Sequence, residues 1–241
     1  MIKQTKFLTA EWRKLILANY RVDPEILLPY IPGGTELDSW NGNYYVSLVG
    51  FMFVKTKLLS LSIPFHTDFP EVNLRFYVRY RENGCWKRGV VFINEFVPKP
   101  ALTFIANKIF KEHYVTMPMK THIAIGDQQL HVKYQWNKEK WNSLEVRAAT
   151  GLQTIEVGSE AEFITEHYWG YTSIADQKTG EYQVSHPRWQ MYPVTEYHIN
   201  CDFTRLYGTN FSSLDSLEPV SVFLAEGSAI AIYPKKVLKA F

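Results

Sequence analysis

Residues 71–96 read EVNLRFYVRYRENGCWKRGVVFINEF, and this stretch decides the fold. Apolar side chains occupy alternate positions over its first half: Val72, Leu74, Phe76, Val78 and Tyr80. The positions between them carry Asn73, Arg75, Tyr77, Arg79 and Arg81. A period of two residues is typical of a β-strand with one apolar and one polar face. Because Asn83-Gly84 is a strong turn signal, Glu71 to Phe96 is predicted to form a β-hairpin.

The rest of the chain is also rich in turn and strand signals. Its 241 residues are 46% hydrophobic and 15% aromatic, which provides for a large core and favours a sheet-rich body. Helices are predicted to start at Pro100 and after Ser159, where Glu162 completes a capping box. No linker or repeat divides the sequence, so residues 1–241 are predicted to form a single domain. The fold class is α+β and β-dominated, with an antiparallel barrel or curved sheets and a few packed helices.

Charge and hydropathy exclude several partners. Lys and Arg number 26 and Asp and Glu 24, and no block of like charges stands out, which argues against nucleic acid as a partner. The most apolar stretch, Val46 to Val54, is far shorter than the roughly 20 residues of a membrane-spanning helix, so no membrane partner is expected. No signal-peptide pattern opens the chain, and Cys85 and Cys201 fit reduced thiols, so a cytoplasmic location is predicted.

Common catalytic motifs do not occur in the sequence. A phosphate-binding glycine loop, a Gly-x-Ser-x-Gly elbow and a His-Glu-x-x-His helix are all missing, and the seven histidines lack the spacing of metal ligands. We therefore expect no cofactor and no metal. His186, Arg188 and Trp189 form a compact group, but such a group is more often a hydrogen-bonded turn than a site.

Arg75 on the polar face of the predicted strand has two interpretations. If this face points outward, its charges are solvated in the ordinary way. If it points into a barrel, Arg75 is a ready anchor for a carboxylate, because its planar guanidinium binds such a group through two hydrogen bonds. The alternation alone leaves both open.

Four segments together form a recognisable pattern: residues 7–23, 71–78, 114–119 and 166–171. They resemble one bacterial family, the domain of unknown function 2071. Through this family the chain resembles the acetoacetate decarboxylase-like superfamily. The resemblance implies a largely antiparallel β-barrel or cone with helices packed outside.

Decarboxylases of that superfamily form a Schiff base between a lysine and a β-keto acid. The resemblance places Arg13 at an active-site arginine and Glu71 at an active-site glutamate. A second glutamate of the decarboxylases falls near Ser47, which is not acidic. Met119 aligns with the lysine that forms the Schiff base, and Lys120 aligns with its neighbour.

The replacement at Met119 bears directly on the chemistry, because a thioether cannot form an imine. Met119 is expected to act as an apolar wall of the pocket. Lys120 could form the imine only if the alignment slipped by one residue, which would require the strand to rotate. Otherwise Lys120 is a surface lysine.

Three functions follow from these residues. The first is a barrel that binds a small anionic or carbonyl-bearing organic molecule, with Arg13, Arg75, Ser47 and Met119 at the ligand and Glu71 as hydrogen-bonding or acid–base partner. The second is a Schiff-base lyase of the decarboxylase or aldolase-dehydratase type, cleaving carbon–carbon or carbon–oxygen bonds, in which Lys120 and Glu71 are catalytic. The third is a scaffold protein whose barrel is filled. Whether the chain is an enzyme stays open, as does its oligomeric state, a homo-oligomer included.

Overall fold

The protein is described by a computed structural model that covers residues 5–175 and 178–239. Strands dominate this part of the chain. They are β1 (Leu8–Val22), β2 (Thr35–Leu37), β3 (Tyr44–Leu58), β4 (Phe69–Glu82), β5 (Cys85–Val97), β6 (Tyr114–Thr116), β7 (Met119–Ile125), β8 (Gln129–Lys138), β9 (Lys140–Ala149), β10 (Gln153–Thr154), β11 (Trp169–Ala175), β12 (Lys178–Ser185), β13 (Gln190–Tyr192), β14 (Val194–Asn200), β15 (Ser221–Ile232) and β16 (Lys236–Lys239).

Helical segments are short. The α-helices are α1 (Pro100–Ile105), α2 (Glu160–Thr165) and α3 (Phe203–Tyr207). Two 3₁₀ helices span Pro24–Tyr30 and Thr209–Asp215, and a π-helical turn, Ala106–Phe110, continues α1. The helix starts predicted at Pro100 and Ser159 are confirmed, and the Ser159 side chain accepts a hydrogen bond from the Glu162 backbone N–H. Within the described residues, no helix has both the length and the apolar character needed to cross a bilayer.

The larger sheet closes on itself. Its strands run in the order β15, β1, β3, β4, β5, β11 and β12, and β12 returns to β15 by pairing Val184 with Ile232. Pairing around this ring is antiparallel except between β5 and β11, which are parallel. The predicted β-dominated, cone- or barrel-like fold is therefore confirmed.

The predicted hairpin is also confirmed, as β4 and β5. Asn83 and Gly84 join them, with φ angles of 51° and 81°. Positive φ at both central residues is what a tight turn between twisted strands requires.

A second sheet covers one side of the ring. It has the order β14-β9-β8-β7. Leu74 and Phe76 of β4 share a buried cluster with Tyr134 and Trp136 of β8, so alternate β4 residues face this outer sheet. A separate buried cluster lies on the inner face of the ring. The candidate site lies on this inner face.

Candidate functional site

The polar face of β4 points into the ring. Glu71 pairs with Phe51 across the ladder, and Asn73 pairs with Val49. Phe51 and Val49 belong to the inner cluster, so Glu71 and Asn73 lie on the inner side as well. Arg75 follows two residues later and is also buried. The structure thus corresponds to the inward alternative for this face.

Glu71 is the centre of a buried hydrogen-bonded group. Its Oε1 accepts a hydrogen bond from Asn73 Nδ2, and its Oε2 accepts one from Tyr114 Oη, each at 3.0 Å. Burial raises the pKa of Glu71 to about 7, although these two hydrogen bonds act in the opposite direction. Glu71 can therefore exchange a proton near neutral pH.

A second buried carboxyl, Glu95 of β5, lies opposite Asn73 in the ladder. Its Oε2 has no hydrogen-bond partner among the described residues. Burial, reinforced by the charge of Glu71, raises the pKa of Glu95 well above its usual value. The protonated form of Glu95 is therefore favoured, and in that form the carboxyl can donate a hydrogen bond to a ligand.

Arg75 is a buried cation without a counterion in the described structure. Its Nη2 donates to the carbonyl oxygen of Ile164 at 3.1 Å, and its guanidinium carbon lies 5.6 Å from the centre of the Tyr77 ring. Among the described residues no carboxylate lies within salt-bridge distance, and Nε has no hydrogen-bond partner. Buried charges are normally paired, so this guanidinium is suited to an anion from outside the chain.

Two histidines lie near Arg75. Burial lowers the pKa of His167 to about 4, against the opposing effect of Asp38, whose Oδ2 lies 3.6 Å from His167 Nε2, so this side chain is neutral at pH 7. His186 is stacked between Tyr168 and Trp189, with ring centres 4.7 and 4.4 Å apart. The compact group noted in the sequence thus contributes an aromatic wall.

Two adjoining cavities occupy the inside of the ring. The smaller has a volume of about 60 Å³, and its wall includes Glu71, Asn73, Arg75, His167 and His186. The larger has a volume of about 150 Å³ and a mostly apolar wall. Five residues line both cavities and mark the boundary between them: Phe53, Glu95, Tyr114, Tyr182 and Ile232.

Arg13 and Glu71 do not line the same pocket, so the prediction that both contact one ligand is wrong for Arg13. Its neighbour Trp12 points into the ring and lines the smaller cavity, so Arg13 points outward. Arg13 Nε and Nη2 donate to Glu11 Oε2 at 2.9 and 2.7 Å, and Nη1 donates to Glu226 Oε1 at 3.4 Å. Arg13 is not among the described residues that line either cavity.

Ser47 is buried and lies opposite Arg75 in the ladder. Its Oγ donates to Asn19 Oδ1 at 2.6 Å and lies 2.6 Å from Tyr77 Oη. It does not line either of the two cavities described above. Ser47 therefore acts on the site indirectly: it contacts the Tyr77 hydroxyl, and the Tyr77 ring lies against the Arg75 guanidinium.

Met119 and Lys120 lie on β7, at the edge of the outer sheet. Met119 is half-buried and packs against the cluster between the two sheets. Lys120 is exposed, and its Nζ lies 4.5 Å from the centre of the Trp141 ring. Neither residue is among those described as lining the two cavities, because their strand belongs to the sheet outside the ring.

Three residues of the cavity walls were not predicted from the sequence as site residues: Glu95, Tyr114 and Tyr182. Glu95 follows from the hairpin only if a bulge is placed in it, and the two tyrosines come from β6 and β12, which join the ring through long-range pairing. In the part of the chain that the structure describes, no group of three or more His, Cys, Asp or Glu side chains is placed to hold a metal ion.

The ring and its outer sheet have the fold of acetoacetate decarboxylase-like proteins. The acetoacetate decarboxylase from Legionella pneumophila superposes with a TM-score of 0.64 and 13% identity, over 97% of this chain and 88% of that one. The enduracididine biosynthesis enzyme MppR in complex with pyruvate gives 0.66 and 10%, over 100% of this chain and 93% of that one. At this identity the likeness shows the fold.

The family is shown by sequence. The chain belongs to the DUF2071 family, described as an uncharacterized conserved protein, which matches residues 9–229. The uncharacterized protein YqjF of Bacillus subtilis is 30% identical over 178 residues, which is 73% of this chain and 72% of YqjF.

Proposed function

We propose that the protein binds a small organic molecule through a carboxylate or carbonyl group held at Arg75, with Glu71 as its hydrogen-bonding and acid–base partner. The observation that carries this proposal is the buried guanidinium of Arg75 on the wall of a cavity, where it forms no ion pair with a carboxylate of the described residues and its Nε has no hydrogen-bond partner among them. Pyruvate bound by MppR, which has the same fold, is a ligand of this chemical class.

The energetics favour an anion at this position. A buried, unpaired charge is unfavourable, and an external carboxylate relieves it while forming charge-assisted hydrogen bonds with the guanidinium. The unpartnered Nε of Arg75 is one donor for such a group.

The two carboxyls complement an anionic ligand only when they are protonated. Burial raises the pKa of both Glu71 and Glu95, so neither has to carry a full negative charge beside the ligand at slightly acidic pH. A protonated carboxyl also donates a hydrogen bond to a carbonyl oxygen. The site therefore suits carbonyl-bearing acids.

Schiff-base chemistry is not part of the proposal. Met119 stands at the position that the resemblance gives to the imine-forming lysine, and a thioether cannot react with a carbonyl. Lys120 lies on the outer sheet against Trp141 rather than in a cavity wall. We therefore propose non-covalent binding, with any reaction carried by proton transfer at Glu71.

Pyruvate and acetoacetate are suitable probes. Calorimetric titration of the wild type is expected to give saturable binding of at least one of them, and Arg75→Met is expected to weaken it at least tenfold. Arg79→Met is the matched control, because Arg79 lies on the same strand but is half-exposed and ion-paired with Glu36. Equal affinities in the wild type and Arg75→Met, or no saturable binding of either acid, would overturn the proposal.

A borohydride arm tests the covalent alternative. We expect the intact mass of the protein to stay unchanged after incubation with either keto acid and borohydride. A reduced adduct at any lysine would contradict non-covalent binding.

A further inference from the structure

The larger cavity is an apolar compartment next to the polar one. Its wall includes Phe53, Phe69, Ile63 and, from the segment of α1 and the turn after it, Leu102, Ile105 and Ala106. These side chains offer hydrocarbon surface and no hydrogen bonds. The polar head of a ligand is therefore better placed in the smaller cavity, and the larger one suits an apolar group.

Charged groups in the larger cavity are neutralised within the protein. Glu112 is ion-paired with Lys235, whose Nζ lies 2.5 Å from Glu112 Oε1, and both side chains are about nine-tenths buried. Burial raises the pKa of Glu95, at the boundary, well above its usual value, which favours the uncharged carboxyl. These groups therefore leave no unpaired charge that would favour a charged ligand in the larger cavity.

The size of the larger cavity sets the size of the apolar group. Its volume is about 150 Å³. An engineered apolar cavity of about 150 Å³, lined by similar side chains, stays dry and binds benzene. An aryl ring or a branched alkyl group of similar size therefore fits.

We infer that the ligand is an amphipathic acid, with its carboxylate or 2-oxo acid head at Arg75 and a benzene-sized apolar group in the larger cavity. The inference rests on the proposed function for the head group. The two cavities adjoin, since Glu95, Tyr114 and Tyr182 line both, and the inference places one molecule across this boundary.

Phenylpyruvate, pyruvate and benzene are the probes. Full burial of a phenyl group is worth roughly 10- to 100-fold in affinity, so phenylpyruvate is expected to bind that much more tightly than pyruvate. Ala106→Phe, which fills the larger cavity, is expected to remove this advantage and leave pyruvate binding unchanged. Ala101→Phe is the control, because Ala101 lies on the same helix but is exposed.

Retained pyruvate binding also shows that Ala106→Phe is folded, and Leu102→Phe is a second filling variant should the first not fold. Arg75→Met is expected to weaken pyruvate binding at least tenfold while benzene still raises the melting temperature. If pyruvate binds through Arg75 but phenylpyruvate binds no more tightly, or if both filling variants keep the advantage, the inference fails and the proposed function stands. If pyruvate binding does not depend on Arg75, the proposed function itself fails.

Discussion

Two arginines of the ring, on strands separated by β3, have opposite surroundings. Arg13 on β1 is half-exposed, and its guanidinium contacts the carboxylates of Glu11 and Glu226. Arg75 on β4 is buried, and no carboxylate of the described residues lies within salt-bridge distance of it. The outer cation is saturated by the chain itself, while the inner one is left unpaired.

The difference separates a structural network from a candidate binding site. In the outer network, Lys14 Nζ donates to Tyr192 Oη at 3.0 Å and is ion-paired with Glu226. The carboxylates and cations of this network therefore neutralise one another. In the inner group, Asn73 Oδ1, Arg75 Nε and Glu95 Oε2 lack partners among the described residues. Buried polar atoms without hydrogen-bond partners destabilise the ligand-free protein. A ligand that forms hydrogen bonds with them removes this cost and therefore binds more tightly.

The largest expected effect comes from breaking the backbone that holds the outer network. Gly227 lies opposite Arg13 with φ of 81°, and a Cβ there would lie 2.0 Å from the Trp12 carbonyl oxygen. Gly227→Ala is expected to lower the free energy of unfolding by roughly 3 to 5 kcal/mol, measured by urea denaturation.

Gly42→Ala separates the clash from the backbone strain. Gly42 has a similar φ of 77° but nothing within 4 Å of its Cβ position, so a loss of only about 1 kcal/mol is expected there. Equal losses in the two variants would show that the close approach at Trp12 does not matter.

Glu71 of the inner group and Glu226 of the outer network should also affect the free energy of unfolding with opposite pH dependence. Because burial raises the folded pKa of Glu71 from 4.5 to about 7, its contribution to stability is full below pH 4.5 and is lost as pH rises to 7. This loss amounts to roughly 3 kcal/mol. At Glu226, burial acts to raise the pKa, but hydrogen bonds from Lys14 and Tyr192 outweigh it and lower the pKa, so its contribution is lost as pH falls below 4.5.

Glu71→Gln isolates the inner contribution. Its amide can still pair with Asn73 and Tyr114, but it does not titrate. The difference in free energy of unfolding between wild type and Glu71→Gln is expected to shift against the wild type between pH 4.5 and 7, whereas His167, which titrates in the same range, affects both proteins alike. A difference that is constant over this range would contradict a raised pKa at Glu71.

From the sequence, the inner site could be predicted only for the residues that lie on one strand, β4. Alternation in β4 put Glu71, Asn73 and Arg75 on one face, and Asn83-Gly84 fixed the hairpin. Whether that face is inside depends on closure of the ring between β12 and β15, where residues nearly 50 positions apart pair. Local periodicity cannot indicate such a contact, so both alternatives for Arg75 stayed open.

Two β-bulges determine the positions of two further residues, Glu95 and Arg13, which the strand pattern alone does not predict. The β4–β5 register shifts between Leu74 and Arg75, which places Glu95 rather than Asn94 opposite Asn73. The β1–β3 register shifts after Arg13, next to Lys14 with a φ of 55°. The β4–β5 shift has no glycine or turn signal beside it, and the β1–β3 shift has only Gly50, opposite Ile16, inside a strand pattern. The sequence therefore does not indicate which side chains the bulges redirect.

Removing the inner charge should stabilise the empty protein. Arg75→Met replaces an unpaired buried cation with an apolar side chain of similar length, at the loss of the hydrogen bond to Ile164. We expect the free energy of unfolding without ligand to rise by about 1 kcal/mol, while keto acid binding is lost. Thermal and urea denaturation of the ligand-free variant measure the gain. A variant that is less stable than the wild type would show that Arg75 has a structural role.

The matching change at the outer arginine should have the smallest effect. In Arg13→Met, Glu11 keeps Lys55, whose Nζ lies 2.7 Å from Glu11 Oε1, and Glu226 keeps Lys14, so each carboxylate retains a cation. A half-exposed ion pair contributes little in water, and the expected loss of stability is less than about 1 kcal/mol. This loss should shrink further when urea denaturation is repeated in high salt, because salt screens exposed charges. The pyruvate affinity of Arg13→Met should equal that of the wild type, because Arg13 points away from both cavities. A tenfold weaker affinity would show that Arg13 contributes to ligand binding and would contradict the distinction between the two arginines.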